Sequence, residues 1–232
     1  MLHHRLRSAS KRGLVYVGGA MASHIGVGNI TLSLTSLTGG IASSPAAGDV
    51  VIVAYGSSYV ADANLYLVTS GYTELADLFG NDTNDTVFGV YAKDMGSVPD
   101  TSVSAKNSDD SEPWVIVAQV WRNTNVTSGI VTPIATATGA SSGKANPPSV
   151  TPTVPGSVVI VAGVGSVEIT ASIFSAPSGI TLWQSHTPAD PCLAMGAYVG
   201  WTSGTYNCAA FGGGSADLSD SWCAASIILQ PV

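Results

Sequence analysis

The densest group of oxygen donors in the chain is the stretch Asp77 to Asp85, where Asp77, Asp82 and Asp85 stand among Asn81 and Asn84. A hard cation such as Ca2+ takes about six to eight oxygen ligands, often from one loop. The stretch lacks the alternating Asp spacing and closing Glu of a calcium-binding loop, and Asn and Asp also cap their own backbone in turns. The reading is therefore a turn, with calcium at Asp77, Asp82 and Asp85 as the alternative; no other cofactor is expected.

Nucleophilic chemistry has one sequence match, Gly139-Ala140-Ser141-Ser142-Gly143, which fits Gly-x-Ser-x-Gly. That elbow belongs between a strand and a helix, and no helical periodicity follows it. The nearby His186 would need an acid ahead of it, and Glu168 alone stands between; Asp190 follows. Asp109, Asp110 and Glu112 are close enough in sequence to suggest paired carboxylates, but they sit in a turn-like run where solvation explains them. No catalytic residues are assigned, and the chain reads as a non-enzyme.

Recognition groups are better represented. Trp183, Trp201, Tyr59, Tyr66 and Tyr72 offer flat faces for sugar rings, and Trp201, just before the turn Thr202-Ser203-Gly204, is the best placed for an exposed ring. It is the candidate for a host-glycan or interface contact. Arg5, Arg7, Lys11 and Arg12 make up half of the eight Lys and Arg residues. Such an arm suits docking on a partner. It also imitates a signal peptide, but Gly18 and Gly19 interrupt its apolar stretch and no leucine run follows, so cleavage is not expected. A net charge of −7 argues against a nucleic-acid partner. No run reaches the ~18–20 apolar residues of a membrane-spanning helix. Cys192, Cys208 and Cys223 have neither zinc nor CxxC spacing. They read as small buried apolar residues, with a Cys192–Cys208 or Cys208–Cys223 bridge as the alternative.

The elements that must position these groups repeat. Gly48-Asp49-Val50-Val51-Ile52-Val53-Ala54 returns as Gly156-Ser157-Val158-Val159-Ile160-Val161-Ala162, 108 residues later. Ser70-Gly71-Tyr72-Thr73 returns at Ser178, Gly89-Val90-Tyr91 at Gly196, and the Trp114 run at Trp222. The register thus holds over the whole unit. Strand signals separated by Gly, Asn and Pro clusters dominate both copies. The fold class is all-β: a jelly-roll-like antiparallel β-sandwich of two duplicated halves. Residues 1–40 form an arm and leading strands. Residues 41–232 form the sandwich, with pseudo-repeats 43–123 and 150–232 joined by 124–149. The Val-rich and Trp-led runs are expected to pair as central strands. Either both copies interleave in one sandwich, as a strand-like linker favours, or two small sandwiches follow one another. Only 10% of residues are charged, against roughly 25% in an average soluble domain. A surface of hydroxyls and amides suits broad contacts with neighbouring subunits.

Several of these stretches resemble a family of bacteriophage and prophage virion proteins. They are Gly48 to Val53, Ser70-Gly71-Tyr72-Thr73-Glu74-Leu75, Asn81 to Thr86, Val120-Trp121-Arg122-Asn123, Asn146 to Pro152 and Asp220-Ser221-Trp222. The resemblance covers about residues 15 to 232. It implies a non-enzymatic β-sandwich on a tailed-phage particle, at the tail tip, fibre base or head surface. It further implies virion subunits as partners and a homo-oligomer, a trimer being favoured. The localisation it implies is the virion, assembled in the bacterial cytoplasm. A carbohydrate-binding host-adhesion module is the alternative. The chain departs from the family at Asn123, where an Arg-Gly-Val-Asp element becomes Arg-Asn-Thr-Asn, which puts that turn's geometry in question.

Overall fold

The computed structural model describes residues 12–58, 65–82, 84–108, 113–125, 134–140, 144–166, 172–186, 191–214 and 220–232. Fifteen strands lie among them. The first eight are β1 (Val15–Ile25), β2 (Gly28–Ser33), β3 (Val50–Ser58), β4 (Leu65–Leu67), β5 (Thr73–Gly80), β6 (Thr86–Asp94), β7 (Ser102–Asn107) and β8 (Pro113–Arg122). The rest are β9 (Ile134–Gly139), β10 (Val158–Gly165), β11 (Ser172–Ser175), β12 (Thr181–Ser185), β13 (Cys192–Tyr198), β14 (Gly212–Gly214) and β15 (Trp222–Leu229).

The first copy builds a five-stranded antiparallel sheet in the order β1-β8-β3-β6-β5. The second builds another, which in the same sense reads β9-β15-β10-β13-β12. The two orders match position by position. The Val-rich strands β3 and β10 are central and each pairs with its Trp-led neighbour, β8 or β15, as the hydrophobic pattern requires.

The two sheets pack face to face. Val50, Ile52 and Ala54 of β3 and Val158, Ile160, Ala162 and Val164 of β10 share one apolar core with Phe88, Val90, Val117, Leu193, Met195 and Ile227. The alternate residues of β3, Val51, Val53 and Tyr55, point the other way. There a three-stranded sheet, β2-β7-β4, covers them with Ile30, Leu32, Leu65 and Val103. On the far side, Val159 and Val161 are covered by Phe174, Ile180, Cys208 and Phe211, beside the short β11-β14 pair. The body therefore has four layers. A strand buried on both faces reads as a continuous apolar run, since neither side-chain row meets water; that is why Val50 to Ala54 and Val158 to Ala162 show no alternation.

The all-β antiparallel sandwich expected from sequence is present, but interleaving is not: neither five-stranded sheet mixes the two Val-rich strands. The sequence pattern also predicts an extended segment over Pro148 to Val154 and a strand over Thr205 to Phe211, but only a single bridge, Val150 to Tyr206, forms there. Pro147, Pro148, Pro152 and Pro155 lack the N–H that a ladder needs. The short apolar run Leu14 to Val17 predicts a strand that in fact continues as β1 to Ile25, through Gly18 and Gly19. Those glycines let a second segment close on the strand, with Gly19 and Thr38 exchanging backbone hydrogen bonds of 3.0 and 2.9 Å.

Glycines also set the spacing between the sheets. A Cβ added to Gly56 of β3 would lie 2.7 Å from Val164 Cγ2 of β10, closer than atoms pack. Gly56→Val is expected to wedge the sheets apart and cost about 1–3 kcal/mol, as overpacked cores do. Gly96, with nothing near its added Cβ, serves as the neutral control. Urea unfolding of the two variants measures the difference.

Candidate functional site

Among the described residues, polar side chains of one copy reach the other at Gln119 and at the Asn84–Asp220 seam. Gln119 on β8 is fully buried. Its Nε2 donates across the interface to the Leu182 carbonyl at 2.9 Å, while its Oε1 accepts from Trp121 Nε1 at 3.3 Å. Leu182 holds φ of 54° where the β12–β13 register shifts between Thr181 and Gln184. A bulge there turns the carbonyl toward Gln119. Nothing in the sequence around Leu182 marks it.

The richest polar cluster is the seam where the acidic loop meets the start of β15. Asn84 and Asp220 form a parallel bridge, and Asn84 Nδ2 donates to Asp220 Oδ1 at 2.7 Å. Ser221 Oγ donates to the Asn84 carbonyl at 2.6 Å and lies 3.0 Å from Thr86 Oγ1. Thr86 Oγ1 in turn lies 3.5 Å from Cys223 Sγ. Asp220, Ser221 and Thr86 are fully buried. Sequence reasoning weighed the loop for chemistry but met Asp220, which lies 136 residues from Asn84, only as part of the Asp220-Ser221-Trp222 resemblance.

The three aspartates named as the alternative calcium ligands do not group together. Asp77 is an exposed residue of β5, whereas Asp85 Oδ1 accepts the Asp82 backbone N–H at 2.9 Å. That bond is the self-capping turn Asn and Asp favour. Among the described residues no three His, Cys, Asp or Glu side chains group as metal ligands.

At the opposite end of β3, Asp49 is fully buried and forms a two-pronged ion pair with Arg122, at 2.7 Å to Nε and 2.8 Å to Nη2. It also accepts the Ala46 N–H at 2.8 Å. Bonding to Asp49 raises the Arg122 pKa, so the charge persists. The second copy has Ser157 and Gln230 at these positions and no ion pair. Just beyond Arg122, Asn123 adopts φ of 63°, and Val232 N–H reaches its carbonyl at 3.1 Å. Asn tolerates this left-handed conformation nearly as glycine does. The turn in question at Asn123 thus keeps a geometry that glycine also allows.

Trp201 is a correction. It is 6% exposed, and its indole N–H donates to the Gly204 carbonyl at 2.9 Å, so the ring packs inward under its own turn and offers no platform to a sugar. Trp183 packs edge-on to Phe211 with centroids 4.8 Å apart. Tyr72 lies beneath Lys93 Nζ, 5.2 Å from the ring centroid; Tyr66 alone of the described aromatics named above is exposed. Arg12 is exposed. Arg5, Arg7, Lys11 and Tyr59 lie outside the described residues, as do Ser141, Glu168, Asp190, Asp109, Asp110 and Glu112.

Other titratable groups among the described residues are buried in the two copies. His186 is buried, its Nδ1 3.2 Å from the Pro191 carbonyl. The three cysteines are buried and none is in a disulfide; burial pushes the Cys208 thiol up, away from the reactive thiolate. Tyr91, which donates to Glu74 Oε2 at 2.7 Å, is pushed up to about 12, mainly by burial. These phenols donate hydrogen bonds rather than take protons.

No protein-family model, no curated protein and no solved structure matches the chain.

The Asn123 turn carries a direct expectation. Asn123→Gly should leave stability within about 0.5 kcal/mol, while Asn123→Ala should cost about 1–2 kcal/mol from the left-handed backbone. Equilibrium unfolding of both variants separates the two.

Proposed function

We propose that the protein is a non-enzymatic structural component of a tailed-phage particle, docked through its basic N-terminal arm and presenting the double sandwich outward. The observation that carries this reading is the character of the outer layers. The β2–β7 pair exposes Asn29, Thr31 and Ser33, with Thr31 and Ser104 hydroxyls 2.8 Å apart across the strands. On the second copy, Thr151 and Thr205 hydroxyls lie 2.9 Å apart on an exposed surface. Short hydroxyl side chains lose little entropy when covered and pair readily with a neighbouring subunit. A rigid four-layer body with such faces suits repeated subunit contacts, and the resemblance to virion proteins points the same way. With Trp201 buried, the adhesion-module reading loses the ring that motivated it.

The first strand opens at Val15, so removing residues 1–11 takes no strand out of the sheets. A chain lacking residues 1–11 should fold with unchanged thermal stability yet fail to join particles. Electron microscopy of particles assembled with the full chain should show it in fixed copy number on head or tail. Full incorporation of the shortened chain would remove the docking role; absence of the full chain from particles would remove the virion role.

A further inference from the structure

We propose that the seam at Asp220 is a binding site for a hard divalent cation of the Ca2+ class, with Asp220 as its anionic ligand. The Asp220 side chain has no solvent exposure. One of its oxygens accepts from Asn84; the other, Oδ2, is buried with no hydrogen-bond partner. A carboxylate oxygen in that state has lost its hydration without replacement, and a bound cation is the group that would compensate it. The ion pairs of the described residues, Lys93 with Asp100 and Arg122 with Asp49, lie toward the other end of the sheet.

A second orphan lies on the neighbouring strand end. Ser166 is fully buried and its Oγ has no partner, while its N–H donates to the Ser221 carbonyl at 3.1 Å. Against Asp220 sits the loop of Asn84, whose turn contains Asn81, Asp82 and Asp85. Hard cations are held by such mixtures of one or more carboxylates with amide, hydroxyl and carbonyl oxygens. The site differs from a trio of loop aspartates: its charge and the Ser166 hydroxyl come from the second copy, and the first copy contributes the Asn84 loop. A cation there would tie the two copies together at the end of the interface where the described residues form no ion pair. With one buried carboxylate dominating the charge, the affinity falls in the weak range, with Kd about 10⁻⁴–10⁻³ M.

The test uses the full chain stripped of metal. Ca2+ is titrated while thermal unfolding is followed. In parallel, Tb3+ emission is sensitised through Trp222, two residues beyond Asp220. The expected result is a saturable Tb3+ signal displaced by Ca2+, with a Tm that rises by a few degrees at about 10 mM Ca2+. Asp220→Asn, which keeps an acceptor for Asn84, should abolish both responses. Asn84→Ala, which removes the group holding the carboxylate, should weaken Ca2+ about tenfold. A wild-type chain with no Ca2+-dependent Tm shift, or unchanged Ca2+ affinity in the variants that fold, overturns the site. Should Asp220→Asn fail to fold, the wild-type titration and Asn84→Ala decide alone.

Discussion

The structure depends on one contact, the dry interface in which the sheet centred on β3 lies against the sheet centred on β10. Each of these strands is buried on both faces, and each fully buried Val or Ile contributes roughly 1.5–3 kcal/mol. The interface is close to self-complementary. β3 packs on its counterpart β10, β6 on β15, and β8 on β13, so the contacts between the two sheets are reciprocal in strand position. An isologous contact of this kind uses one surface twice. That geometry requires the core positions of the two copies to stay alike, while it leaves their outer coverings unconstrained.

The outer coverings have diverged accordingly. One side carries a three-stranded sheet, the other a two-stranded pair with irregular segments anchored by Phe174 and Phe211. The ends of the interface differ too, with the Asp49–Arg122 pair at one and the Asn84–Asp220 seam at the other. Buried charge thus stays at the margins and leaves the centre without an ionised group. The hydroxyl-covered outer layers are thus free of the constraint that keeps the two inner faces alike, and the proposed assembly role draws on them.

Much of this was legible in the sequence, because a repeat with two apolar strands per copy specifies its own pairing. The repeated glycines have physical causes in both copies: Gly48, Gly156, Gly71 and Gly179 all hold positive φ near 80°. An added Cβ at Gly89 would strike the Tyr55 ring, and one at Gly196 would strike Ile180 and Trp183. Whether the copies interleave was not legible, because a strand buried on both faces looks the same whichever sheet covers it. Trp201 was misread because a turn signal next to a tryptophan does not say on which side the ring falls. The Asn84–Asp220 and Gln119–Leu182 contacts were hidden for a different reason. They join residues far apart in the chain, and the second depends on a bulge at Leu182 that no residue type announces.

The central claim is that the two copies are one cooperative body joined through that interface, and native-state amide hydrogen exchange tests it most directly. The slowest amides of β3 and β10 should exchange with the same opening free energy, equal to that of global unfolding. Gly56→Val should lower both by the same amount. A sheet that opens on its own, with β10 exchanging at lower free energy while β3 stays protected or the reverse, would contradict it.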